Sequence, residues 1–92
     1  MVRKKSKYRH ISIGKKKYFF YHIIGEDILG DSSHFSFNEF EKMKPAVMNT
    51  YAYVFKKDKK YLWTFASYDE ETFSDRNVFP IGCIKELKKI EI

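Results

Sequence analysis

The chain has little of what staples or interrupts a fold. A single cysteine, Cys83, excludes an internal disulfide and a thiolate metal cluster. Prolines number two and glycines four in 92 residues. No apolar run approaches the roughly 18 residues that a membrane-crossing helix needs. The basic N-terminus is not followed by a signal-like apolar stretch, because Ser12, Gly14 and Lys15–Lys17 interrupt it. These absences point to a reduced, cytoplasmic protein with no membrane contact. Catalytic signatures are missing too: there is no glycine-rich phosphate loop and no nucleophile elbow. His10, His22 and His34 are twelve residues apart, outside the close spacing of zinc ligands. Asp69, Glu70, Glu71 and Asp75 lack the glycine and alternating ligands of a calcium loop, so they read as a solvated turn. No metal, cofactor or enzymatic activity is expected. A small ribonuclease or toxin using one of the histidines is the remaining catalytic alternative.

What the chain does have is charge in one place. Eight basic groups precede the first acid, Glu26: Arg3, Lys4, Lys5, Lys7, Arg9, Lys15, Lys16 and Lys17. The rest carries ten Lys/Arg against twelve Asp/Glu, so all of the net +6 belongs to the first seventeen residues. A near-neutral body with a cationic end is suited to a polyanionic partner. Lys/Ile/Phe/Tyr-rich, arginine-poor usage also fits an AT-rich genome, such as a low-GC bacterium or one of its phages.

Aromatic residues are abundant: nine Phe, seven Tyr and one Trp. Each ring buries a large apolar area, so a few can build a core in one short domain. Residues 1–7 hold too little apolar surface to pack and are expected to be a flexible basic arm, with a single domain over 8–92. Tyr8–Ile13 and Tyr18–Ile24 read as a hairpin with its tip at Gly14. The second of these, apolar on both faces, is expected to be central. Ser36 and Glu39 fit a capping box, with Phe35 and Phe40 as its staple, so a helix is expected over 37–44, stopped by Pro45. Val47–Phe55 and Lys60–Tyr68 read as strands joined by a charged turn, and Asn77–Ile81 as a short edge strand. Ile81, Ile84, Leu87 and Ile90 suit either a helix or a closing strand. Cys83 reads as a small buried residue and His22 as a hydrogen-bonded core residue. The expected fold is mainly β, with α+β as the alternative: a small antiparallel, partly open SH3/Sm-like barrel of about five strands with one short helix.

From Tyr51 onward the order of signals resembles the C-terminal half of a WYL domain, an SH3/Sm-like barrel of bacterial regulators. The likeness lies in the aromatic strand, the charged turn, the Tyr61-Leu62-Trp63 triplet and the spacing of Phe79, Ile81, Ile84 and Leu87. In that family, closing-segment arginines are thought to bind nucleotides or single strands. Here Pro80 and Cys83 stand at those positions, and Asn77 where another basic residue is usual. The resemblance therefore implies the barrel and not the ligand.

The leading functional expectation is non-enzymatic binding of DNA or RNA. Arg3, Lys4, Lys5, Lys7, Arg9, Lys15, Lys16 and Lys17 would contact phosphates, with Lys57 and Lys60 from the Lys56–Lys60 turn as a second patch. Tyr51, Tyr53 and Trp63, beside Tyr61, are the candidates for stacking on bases. The alternative is a protein-binding module, such as a small phage or mobile-element inhibitor docking on a host factor through the same aromatics. Long strands with open edges also allow a homodimer.

Overall fold

A computed structural model describes residues 7–27, 30 and 32–92. Arg3, Lys4 and Lys5 of the expected arm lie outside these residues. The aromatic run anticipated as central is β2 (Lys16–Asp27), and it organises the sheet. β1 (His10–Ile13) turns onto it through Gly14, whose φ of 62° is a left-handed value that glycine reaches without a Cβ clash. Further along the same edge, β8 (Ile84–Lys89) pairs antiparallel with Tyr21–Gly25. The other edge takes β3 (Ala46–Lys57), from Phe20 opposite Tyr53 to Asp27 opposite Ala46. With both edges paired and both faces partly covered, β2 has no need of polar alternation.

β3 pairs onward with β4 (Tyr61–Phe65), and β4 with β7 (Asn77–Pro80). The sheet order is β1-β2-β3-β4-β7, with β8 beside β2. β5 (Ser67–Tyr68) and β6 (Phe73–Ser74) form a separate hairpin. The fold is mainly β and antiparallel, a partly open barrel with one short α-helix among the described residues. Register slips bend it at two places, Val54–Lys56 and Ile24–Gly25. At the second, a Cβ on Gly25 would lie 3.0 Å from the carbonyl oxygen of Cys83, so a larger residue would have to push that turn away by a few tenths of an ångström.

The core has two sides, as the two-residue strand period requires. One is aromatic: Tyr18, Tyr53 and Phe65 are buried, with Ile11, Ile13, Phe20 and Phe73 packed against them. The ring of Phe65 meets those of Tyr18 at 5.4 Å, Tyr53 at 5.6 Å and Phe73 at 4.7 Å. The other face buries the smaller Ile23, Ala52 and Leu62.

Several expectations change. The helix α1 (Phe37–Glu41) is shorter than 37–44 and buries no residue. Its cap forms as anticipated: the Ser36 hydroxyl accepts from the Glu39 amide at 3.2 Å and donates to the Glu39 carboxylate at 2.9 Å. The tail is a 3-10 turn (Ile81–Cys83) followed by β8, because the edge of β2 offers Tyr21–Gly25 as backbone partners. Cys83 is exposed, not buried, since its turn lies outside the sheet. Lys7 is not part of a free arm: its carbonyl accepts from the Ile92 amide at 2.8 Å, and its ammonium lies 3.5 Å from Glu91. No helix among the described residues is long and apolar enough to cross a membrane.

Candidate nucleic-acid interface

The register slip in β3 decides which side chains meet. Tyr53 faces Phe65 and Val54 faces Thr64, so an unbroken ladder would set Phe55 opposite Trp63. The slip makes Phe55 the extra residue and brings Lys56 opposite Trp63 instead. The Lys56 ammonium then sits 5.1 Å from the centre of the Trp63 ring. Phe55 lies parallel to Tyr18 at 5.9 Å and edge-on to Phe73 at 5.1 Å. From the β1–β2 tip, Lys16 reaches over the same rings, 5.6 Å from Tyr18 and 5.9 Å from Phe55. Two lysines forty positions apart are therefore held against one aromatic surface. An ammonium over a ring face is attracted by the ring quadrupole, which fixes its position while leaving its charge available.

Beside these rings is a cleft of about 530 Å³, lined by Phe55, Trp63, Phe65, Phe73, Arg76 and Val78 among others. Arg76 follows Asp75, which adopts a left-handed φ of 49° and accepts a hydrogen bond from the Ser67 hydroxyl. The β5–β6 hairpin thus aims a basic residue at the cleft. Tyr61, next to Trp63 at 5.8 Å, extends the aromatic surface outward. In the β3–β4 turn, one Asp58 oxygen accepts from the amides of Lys60 and Tyr61, both at 2.8 Å. The amide of Tyr61, then that of Lys60, holds the Asp58 carboxyl below its ordinary range. This fixed turn displays Lys57 and Lys60, both exposed.

The remaining candidates are scattered. Lys15 and Lys17 are exposed at the hairpin tip. The Arg9 guanidinium packs over Phe20 at 4.6 Å. Tyr51 is exposed but lies flat against His22 at 4.4 Å, away from the Lys16–Lys56 group. Tyr53 is a correction: it is 9% exposed and locked in the core, so no base can stack on it. His10 bonds the Tyr8 carbonyl at 3.0 Å, while half-buried His22 bonds the Asn49 side chain at 2.8 Å. Opposite His10 stands Phe19, so the two histidines do not face each other across the first hairpin.

Phe55, Phe73 and Arg76 escaped sequence reasoning. A bulge has no sequence mark here, and an isolated arginine after an acidic turn reads as solvated. Lys89 was missed as well; its ammonium is 4.4 Å from the Phe19 ring and 4.9 Å from that of Tyr8, tying β8 to the first hairpin. Among the described residues, no three His, Cys, Asp or Glu side chains gather into a metal site. Searches of protein-family models, curated proteins and solved structures find no match to this chain.

Proposed function

We propose that the protein is a non-enzymatic nucleic-acid-binding domain. Lys16, Lys56 and Arg76 contact phosphates, and Phe55, Trp63 and Tyr61 receive unpaired bases. The observation that carries this reading is that Lys16 lies over Phe55 and Lys56 over Trp63, two rings that line one cleft. Cations interleaved with accessible aromatic faces suit a single strand, whose bases are free to stack while its backbone is neutralised. Lys15, Lys17, Lys57 and Lys60 add charge without geometry.

Trp63 is the only tryptophan, so its fluorescence reports directly on this surface. Titration with a single-stranded oligonucleotide should quench it, and the affinity should fall steeply between low and moderate salt. An abasic strand of equal length should bind more weakly and leave Trp63 unquenched. Binding that ignores salt, or no binding to DNA or RNA strands, would defeat the proposal.

A second reading has its own observation. Phe37 and Phe40 on α1 are 79% and 68% exposed, and no cation lies over them among the described residues. Bare phenylalanines suit a protein partner better than a nucleic acid. A partner that co-purifies after exhaustive nuclease treatment, and is lost on Phe37→Ser/Phe40→Ser substitution, would favour this reading.

A further inference from the structure

β3 pairs with β2 through Ala46–Tyr53 and with β4 from Tyr53 onward, so the two pairings meet only at Tyr53. On the side facing β4, its strand pairing begins only at Tyr53. From Ala46 to Ala52 the strand is bonded to β2 alone, which leaves that edge without a strand among the described residues. The exposure agrees: Val47 is 56%, Met48 51% and Tyr51 56% exposed. Open edges are normally protected by charge, proline or brevity. Here no charged residue occurs between Ala46 and Phe55, although a third of the chain is charged. Pro45 stands just outside the stretch and blocks nothing within it.

We propose that this edge pairs with the same edge of a second copy, antiparallel and about a two-fold axis at Asn49. An unpaired row of amides and carbonyls calls for an extended strand. A two-fold axis normal to the sheet keeps each side chain on its own face, so facing residues must share parity. The register centred on Asn49 sets Val47 against Tyr51 of the second copy, Met48 against Thr50, and Asn49 against Asn49. Val47 opposite Tyr51 is a β-branched–aromatic pair of the kind that stabilises antiparallel sheets. No like charges oppose each other in this window, whereas the cationic end elsewhere would repel a second copy. The contact is small against the roughly 800 Å² per partner of a standard interface, so the dimer forms and dissociates with concentration.

Sedimentation equilibrium on the full chain from about 10 μM to 1 mM is the test, over a range suited to a small interface. The average mass should rise from one chain towards two. Val47→Lys/Tyr51→Lys places lysine against lysine twice across the axis and should weaken association at least tenfold. Val47→Glu/Tyr51→Lys places glutamate against lysine and should restore it. Both positions are exposed, and circular dichroism verifies that each variant folds; Val47→Lys alone serves if the loss of the Tyr51–His22 stack unfolds the double variant. A single-chain mass at every concentration overturns the proposal. So does equal association of all the variants, which would move the contact elsewhere, for instance to Phe37 and Phe40.

Discussion

At the Lys16–Lys56 end, exposed Phe55 and half-buried Trp63 lie under ammonium groups and border a cleft; between β2 and β3, Phe37 and Phe40 are more exposed still and, among the described residues, have neither. Both regions put aromatic surface into water. Among the described residues, the first has ammonium groups over its rings and the second has none, and the first is anchored in the core through the contacts of Phe55 with Tyr18 and Phe73. Exposure of a ring therefore indicates a contact without indicating its chemistry. The neighbours within about 6 Å supply that, since a cation over the ring acts within this distance.

Deleting a ring in each region is the harshest way to break this comparison. Phe65→Ala, beneath the cleft and 1% exposed, should cost about 3–5 kcal/mol in a denaturant melt. Phe40→Ala should stay within about 0.5 kcal/mol, because an exposed side chain leaves no cavity. Equal costs would mean that α1 packs on the body in solution. Gly25→Ala, at the slip that brings Cys83 against β2, should cost about 1–3 kcal/mol, read as a lower midpoint with m unchanged. Smaller, and specific to binding, is Lys16→Gln/Lys56→Gln. It should weaken oligonucleotide binding about tenfold and lower the salt slope by about 2, as two phosphate contacts are lost. Lys42→Gln/Lys44→Gln, beside α1, should change neither.

The smallest effect is in the turn that displays Lys57 and Lys60. Asp58 has its pKa lowered from 3.8 by two amide hydrogen bonds in the folded state. A depressed folded pKa adds stability above the unfolded value and loses it as pH falls through the folded one. Wild type and Asp58→Ala should thus differ by a constant amount in melting temperature at neutral pH. That difference should shrink below about pH 4, where the unfolded chain takes up its proton. A gap that persists to pH 2 would show that Asp58 acts through packing instead.

Elements with strong local chemistry were legible in the sequence. The capping box, the Gly14 tip and the aromatic run of β2 each carry a signal that tertiary context does not override. Helix length was overestimated because Phe37 and Phe40 stay exposed, so no packing extends the helix beyond Glu41. The tail was ambiguous because Ile81, Ile84, Leu87 and Ile90 satisfy two periods, and only the vacant edge of β2 selects the strand. The cationic character of the site was visible as composition, but its composition was not its geometry. Tyr53 and Trp63 look alike in an alternating strand, yet one is core and the other lines the cleft. The bulge that pairs Lys56 with Trp63 is announced by no residue in β3.

The antiparallel pairing of β8 with β2 also has a consequence in time. Gly25 waits for Ile84, fifty-nine positions later in the chain. At roughly 5–20 residues per second on a ribosome, the Tyr21–Gly25 edge has no β8 to pair with for several seconds after it is made. β1 and β3 can assemble on β2 during that interval, and β8 completes the sheet last. The order of synthesis therefore makes β8 a latch, and the full sheet becomes available only once Lys89 has been made.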